Sequence, residues 1–366
     1  MNSPEGARYQ QAGVLTNAEL GLEALLKWVR KTEAHREGRL GRSALDVGYF
    51  ANVIDIGHGM GLALSTDGVG SKVLVAEMLG RYDTIGIDCV AMNVNDVICV
   101  GAEPVSMLDY IGIELATPEK MEGIARGLYE GARQARVNIV GGEISQIPEI
   151  IRGVTQGSGL DLIGMCVGLV PLDKVNVGQD VAPGDVIIGL ESSGIHSNGL
   201  SLARKVLFEM AGFAPERHLD EFGRSVGEEI LVPTHIYVRE ICDLLDQNLP
   251  LKALINITSD GLFNLTRVKP AVGFMIDHLP RPQPIFRVIQ KLGNVPDAEM
   301  YRVFNMGIGF CVIVPDDSAV LRAVDETMRR HEVKSLRIGK VVDDPGRHVW
   351  VPEKQLVGSG DTFVKA

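Results

Sequence analysis

Apolar positions along the chain switch between two periods, and the switches mark its elements. Leu22, Leu25, Leu26 and Val29 recur at i, i+3, i+4 and i+7, which predicts an amphipathic helix that Asn17 can cap. Thr117-Pro118-Glu119 reads as a second helix start, with a capping hydroxyl, proline at the first position and an early acid. Met121, Ile124, Ala125 and Leu128 line one face of that helix, and Arg126, Arg133 and Arg136 favour its C-terminal end. A further helix runs from about Asn198, with Leu200, Ala203, Leu207 and Met210 on its apolar side, and Thr84 to Gly101 reads as a helix rich in core residues. Short apolar, mostly β-branched runs predict strands at Gly61–Leu64, at Val137–Val140 ending in Gly141-Gly142, at Asp185–Leu190, and within Val303–Val314. Strands and helices mix throughout, so the fold class is α/β (α+β).

The polar, turn-rich stretch Leu172–Gly184 separates two apolar strands and splits the chain into 1–172 and 173–366. Two domains also suit 366 residues at about 150 residues each. Glu33–Ser43 is polar with two glycines and reads as a mobile loop. No short-period repeat is visible, which excludes a solenoid.

Composition narrows the function classes. Hydrophobic residues make up 45% of the chain, enough for a substantial core, while 42 glycines and 5% aromatics suit an enzyme with many tight turns. Lys and Arg number 36 against 47 Asp and Glu, a net charge of −11, which argues against nucleic acid as a partner. Such a chain binds a polyanion only through local amides, lysines or metal ions. Cys89, Cys99, Cys166, Cys242 and Cys311 are scattered and form no CxxC, so reduced thiols in a cytoplasm are expected rather than a disulfide framework or zinc site. The N-terminus has no apolar leader, and the apolar run Gly159–Leu172 carries Asp161 and is too short to span a bilayer, so no membrane role is expected.

Five constellations could carry chemistry. Ser65-Thr-Asp-Gly-Val-Gly-Ser-Lys72 follows a strand; its glycines let amides approach an anion, Lys72 adds a point charge, and Asp67 could hold Mg²⁺. It lacks the Walker A spacing, and its Asp-Gly-x-Gly also fits a plain hairpin. The apolar helix after it carries Asp88, Asn93, Asn95 and Asp96, although an unpaired buried carboxylate is costly. Eight residues apart, Asp88 and Asp96 lie near one face, about 12 Å along the axis; metal ions, exposure or capping would each explain them. Glu143 ends Val140-Gly-Gly-Glu143 and fits either a ligand-binding acid or a solvated turn. Glu191-Ser-Ser-Gly-Ile-His-Ser-Asn-Gly199 joins a strand to a helix N-terminus, where His196 could bind phosphate or move a proton. Asp260, in Ser259-Asp260-Gly261, fits a metal ligand or a helix cap.

Asp67-Gly-Val-Gly-Ser-Lys72, Gly86-Ile-Asp-Cys-Val-Ala-Met-Asn-Val-Asn-Asp96, Gly101-Ala-Glu-Pro104, Gly141-Gly-Glu143, Ser192-Ser-Gly-Ile-His-Ser-Asn-Gly199 and Glu299-Met-Tyr-Arg-Val-Phe-Asn-Met-Gly-Ile-Gly309 resemble, in order and spacing, the phosphoribosylformylglycinamidine cyclo-ligases of the aminoimidazole ribonucleotide synthetase-like ATP-binding superfamily. The resemblance runs from about Tyr9 to the C-terminus. It implies an N-terminal ATP-binding domain whose sheets pair across a homodimer, and a C-terminal sheet flanked by helices that completes the cleft. It implies ATP-dependent closure of the imidazole ring of formylglycinamidine ribonucleotide, with ATP, Mg²⁺ and a possible K⁺ requirement. Under it, Asp67, Gly68, Gly70, Ser71, Lys72, Asp88, Asn95 and Glu143 bind the nucleotide, and Ser193, His196, Ser197, Asn198 and Asn305 bind the ribotide. His196, Lys72 and Asp96 are catalytic, Asp67, Asp96 and Asp260 hold metal, and Arg302 either faces the cleft or is a strand-edge charge. The sequence departs from the family pattern at Tyr9–Leu15, which lacks two acids, at Gln146, which replaces an acid, and at Ser259-Asp260-Gly261, which replaces a triple glycine. A thiamine-phosphate-kinase-like phosphotransferase and a non-catalytic ATP-binding scaffold are the alternatives. A selenophosphate synthetase would want an early reactive Cys, and a hydrogenase-maturation protein a C-terminal one; this chain has neither.

Overall fold

The computed structural model describes residues 18–366. Its first sheet has the order β1-β2-β5-β3-β4, formed by β1 (Asn52–Gly57), β2 (Met60–Gly68), β3 (Glu103–Ile113), β4 (Asn138–Gln146) and β5 (Leu160–Pro171). Only β3 and β4 run parallel. The helices of this half, in chain order, are α1 (Ala18–Val29), α2 (Val73–Leu79), α3 (Asp83–Cys99) and α4 (Pro118–Ala135). Alternation along β5 turns Leu160, Leu162, Cys166 and Val170 into the core, on the face that α3 covers. Behind α3 lies α4, so close that a Cβ on Gly86 or Gly127 would strike the backbone of the other helix. The opposite face of the sheet stays open, with Leu108, Tyr110, Met165 and Leu169 each 37–39% exposed.

The second sheet has eight strands in the order β15-β14-β13-β10-β12-β6-β11-β9. They are β6 (Val186–Glu191), β9 (Ala253–Asn256), β10 (Gly273–Ile276), β11 (Ile308–Val314), β12 (Ser335–Val342), β13 (Val349–Val351), β14 (Leu356–Ser359) and β15 (Thr362–Lys365); a two-stranded ribbon pairs β7 (His218–Leu219) with β8 (Arg224–Ser225). Every residue of β9 and β11 is buried, which explains their uninterrupted apolar runs. Helices Pro284–Gly293 and Ser318–Arg330 flank this sheet with strongly one-sided apolar faces. No helix among the described residues is long and apolar enough to cross a membrane, and all five cysteines are free.

Several local expectations change in three dimensions. Helix Ala18–Val29 forms, but Leu22, Leu25 and Val29 are exposed rather than in the core; Asn17, its expected cap, lies outside the described residues, as does Tyr9–Leu15. Glu33–Ser43 is partly ordered, with 3-10 turns over Arg30–Arg36 and a bridge from Ser43 to Ile54. The strand expected to stop at Gly141-Gly142 runs on to Gln146, because β3 pairs with it throughout. Val303 closes a helix (Asp297–Val303), and the strand begins only at Ile308. The helix after Gly199 is α-helical only over Leu200–Arg204 and widens to a π-turn over Lys205–Met210. Thr117 caps α4 as its hydroxyl predicts, accepting from the amide of Lys120.

Candidate active site

Strand β2 ends with Asp67 and Gly68. The Asp67 amide donates to Asn93 Oδ1 (2.9 Å), and Asn93 Nδ2 donates back to the Asp67 carbonyl (3.1 Å), so α3 holds the strand end in place. The Asp67 carboxylate turns back to accept from the Gly68 amide (2.7 Å). Gly70 takes a left-handed φ of 67° with open space where a Cβ would be, and Ser71 follows half-buried. Gly70 and Ser71 therefore present backbone at the surface of the molecule, as an anion-binding loop requires, whereas the Gly68 amide serves Asp67 and the Val69 amide serves the Leu162 carbonyl.

Lys72 is not presented with them. It is fully buried, and its Nζ lies 2.9 Å from both oxygens of Asp88 and 2.7 Å from the Val232 carbonyl. Asp88, also fully buried, accepts on Oδ1 from the Thr234 amide (2.7 Å), the Thr234 hydroxyl (2.7 Å) and the Ser197 hydroxyl (3.2 Å). Burial pushes the Lys72 ammonium below its usual range while Asp88 pulls the other way. The expectations that Lys72 touches phosphate and that Asp88 contacts the nucleotide or metal are corrected: the two residues neutralise each other and, with Val232, Thr234 and Ser197, fasten the first half of the chain to the second.

The remaining polar residues of α3 explain themselves likewise. Asn95 donates to the His235 carbonyl (2.8 Å) and accepts from the Tyr237 amide (3.0 Å), so it too is a docking residue rather than a nucleotide ligand. Asp96, one residue on, accepts from Asn256 Nδ2 (2.9 Å) at the end of β9. Crowding by protein pushes its carboxyl up to about 7, against the Asn256 hydrogen bond, with Asp67 adding to the rise and Arg267 opposing it. Burial also raises Asp67. Neither forms an ion pair among the described residues.

The His196 loop is built by distant partners. Gly199 has a φ of 72°, and a Cβ there would collide with the Phe304 ring; a Cβ on Gly309 would collide with the Tyr237 hydroxyl and the His196 ring. These contacts account for Phe304 and Gly309 in the C-terminal motif. His196 itself is left-handed (φ 62°) and buried, and its Nε2 accepts from the Ser193 amide (3.1 Å). Burial and the nearby Lys72 hold its imidazole well below its ordinary range, hence neutral. A protonated His196 gripping phosphate does not fit this environment; it shapes the loop. Asn305 is corrected as well: its amide donates to Gly194 O (2.8 Å) and accepts from the Ser192 hydroxyl and the Gly307 amide (both 2.9 Å), leaving nothing for a substrate. Ser193 and Asn198 remain accessible, with Asn198 accepting from Ser259 Oγ at 3.2 Å. Ser197 is committed to Asp88 and Thr234.

The metal trio expected from sequence is not assembled. Asp260 is exposed and ion-paired with Arg267 (3.1 Å), and no group of three or more His, Cys, Asp or Glu among the described residues is set to hold a metal. Glu143 is exposed on the edge strand; pairing with Tyr110 turns it away from the face that Asp67 shares with Gly164, Asp109 and Gly142. Gln146 accepts from the Ala116 amide (3.0 Å), a structural use for the residue that replaces an acid. Arg302 pairs with Asp361 (3.3 Å).

Sequence reading passed over four contributors: Asp109, Thr234, Asn256 and Arg267. Asp109 sits in one cross-strand row with Asp67, separated from it by Gly164, and a Cβ on Gly142 would come within 2.6 Å of its carboxylate. Alternation of Met107, Asp109 and Ile111 carried the signal, since it turns an acid inward. Thr234, Asn256 and Arg267 had no local signal, for their partners are far along the chain.

Comparison with known proteins follows this geometry. The N-terminal domain model of AIR synthase related proteins matches residues 48–170, and the C-terminal domain model matches residues 182–351. Phosphoribosylformylglycinamidine cyclo-ligase from Methanocaldococcus jannaschii is 48% identical over 296 residues, covering 81% of this chain and 82% of the relative. The enzyme of that name from Thermococcus kodakarensis is 44% identical over 342 residues, covering 93% and 97%. Among solved structures, a HypE–HypF complex superposes with a TM-score of 0.63 at 19% identity, covering 95% of this chain and 100% of that one. Thiamine-monophosphate kinase from Stenotrophomonas maltophilia K279a superposes at 0.59 and 18%, covering 87% and 94%. These last two share the fold. The two domain matches, together with relatives at 44–49% identity over most of the chain, place it in the AIR synthase related family.

Proposed function

We propose that the protein is an ATP-dependent cyclo-ligase that closes the imidazole ring of formylglycinamidine ribonucleotide, giving 5-aminoimidazole ribonucleotide in purine biosynthesis. The observation that carries this reading is the 48% identity to a cyclo-ligase over 296 residues, 81% of the chain and so more than either half of it. The formyl amide oxygen takes the γ-phosphoryl group of ATP, releasing ADP. The amidine nitrogen then attacks the activated carbon, the C–O bond breaks, inorganic phosphate leaves and a proton is lost. An amide oxygen leaves poorly and its phosphate ester leaves well, so alignment and charge neutralisation are the enzyme's main tasks.

In this reading Gly70 and Ser71 face the polyphosphate with their backbone, while the Gly68 amide holds the Asp67 carboxylate. Asp67 and Asp96 fit a nucleotide-borne Mg²⁺: both are half-buried carboxylates raised by crowding that form no ion pair among the described residues, and Mg²⁺ takes its other ligands from phosphates and water. Bound there, the ion would neutralise developing phosphate charge. Ser193 and Asn198 face the ribotide from the loop that His196 and Asn305 shape. The neutral His196 imidazole keeps a proton-transfer role open, whereas a cationic grip on phosphate is not open to it. The exposed Leu108, Tyr110, Met165 and Leu169 support a homodimer formed through the open face of the first sheet. A cytoplasmic site of action suits the free cysteines.

The test supplies ATP, Mg²⁺ and formylglycinamidine ribonucleotide and follows aminoimidazole and ADP together. Equal formation of both supports the reading. ADP without imidazole would make the protein a phosphotransferase, and nucleotide binding without turnover would make it a scaffold.

A further inference from the structure

Lys72 directly follows the phosphate loop, and Ser197 lies inside the loop assigned to the ribotide. A continuous set of buried polar contacts joins them. Lys72 Nζ binds both oxygens of Asp88 and the Val232 carbonyl; Asp88 Oδ1 accepts from Thr234 twice and from Ser197; and the Ser197 and Thr234 hydroxyls are 3.2 Å apart. Lys72 and Asp88 belong to the first half of the chain and the other three to the second. Every bond in the set except that between the two hydroxyls involves a charge removed from water, where bonds are short, directional and costly to break. Neither loop can move far without straining the other. Asn95 adds a second tie from the same helix, but its partners His235 and Tyr237 lie beyond Thr234 and fix that segment rather than the ribotide loop.

We propose that Asp88, oriented by Lys72 and reaching Ser197 and Thr234, is a positioning residue that couples the two substrate sites, so that ATP and the ribotide each bind more tightly in the presence of the other. The proposal rests on the assignment of Gly70 and Ser71 to the nucleotide and Ser192–Gly199 to the ribotide. Coupling of this kind is reciprocal by linkage: the factor by which the ribotide tightens nucleotide binding equals the converse factor.

Calorimetry on the full chain, with β,γ-methylene ATP and formylglycinamidine ribonucleotide, measures each Kd with and without the other ligand. In the unaltered protein each ligand tightens the other about tenfold. Thr234→Val keeps the side-chain volume, the Lys72–Asp88 pair and the residue-234 amide, and removes the hydroxyl that braces both Asp88 and Ser197, leaving the loop tied to Asp88 only by the longer Ser197 contact of 3.2 Å. Its separate Kd values stay within about twofold while the coupling drops below about threefold, and Thr234→Ser restores it. Thr234→Ala gives the same readout should the valine variant fail to fold. A merely structural role for the hydroxyl would weaken the separate Kd values and leave their ratio intact, which would overturn the proposal. Binding of both ligands to the unaltered protein without mutual effect would overturn it while sparing the site assignment. Failure of either ligand to bind would remove that assignment, and the coupling with it.

Discussion

The buried Lys72–Asp88 pair sets up a measurable asymmetry. In Lys72→Met the Asp88 carboxylate keeps three donors, the Thr234 amide and hydroxyl and the Ser197 hydroxyl, but loses the counter-charge of Lys72. In Asp88→Asn the ammonium keeps the Val232 carbonyl and a neutral amide oxygen. Breaking a buried pair from one side typically costs about 3–5 kcal/mol, because a charge is left uncompensated. Three remaining donors place Lys72→Met toward about 3 kcal/mol on that scale. Asp88→Asn has an escape, since burial already depresses the Lys72 pKa and the group can shed its proton. The sign follows: in Asp88→Asn the folded state binds fewer protons than the unfolded state, whose lysines titrate near about 10.4, so stability rises with pH through the folded pKa up to that value. Urea unfolding of both single variants and of Lys72→Met/Asp88→Asn closes a double-mutant cycle. The pair should cost less than the sum of the singles by about 2 kcal/mol or more. Strict additivity, or single costs below about 1 kcal/mol, would refute the picture of a dry, mutually neutralising pair.

Asp96→Asn should raise the thermal stability of the ligand-free protein at pH 8 in a chelator. Its carboxyl sits at about 7 when folded, so the folded state bears the cost of ionisation above that pH, and the gain should fade toward pH 4. A pH-independent difference would contradict this. Gly309→Ala drives a methyl into the Tyr237 hydroxyl and the His196 ring and should lose about 1–3 kcal/mol in denaturant titration, with turnover falling as the loop is displaced. Met165→Asp with Leu169→Glu charges the open sheet face and should convert a dimer into a monomer in light scattering; an unchanged mass would place the interface elsewhere.

Local order was largely readable. Thr117-Pro118 starts a helix because a hydroxyl and a fixed φ satisfy its first turn within a few residues. The alternation in β5 and the continuous apolar run of β11 report directly on one-sided and two-sided burial. Where local chemistry overreached, a distant neighbour was responsible. The double glycine at Gly141-Gly142 looked like a strand end, but β3 pairs straight through it.

The candidate site divides along the same line. By itself the sequence determined that one apolar helix carries four polar residues, that Gly68 and Gly70 sit in a tight turn fit for an anion loop or a plain hairpin, and that a His sits in a small-residue loop. Only the tertiary structure decided what those groups do. Asp88 meets Thr234 across 146 residues and Asn95 meets His235 across 140, which turns apparent ligands into fastenings, while Asp96 meets Asn256 across 160 through one hydrogen bond. His196 is neutral because burial and the nearby Lys72 disfavour its charged form, at a place where Gly309 leaves room for its ring beside Tyr237. Periodicity and turn chemistry record forces that act within a few residues, whereas the charge and partners of a buried polar group depend on whatever the fold brings beside it.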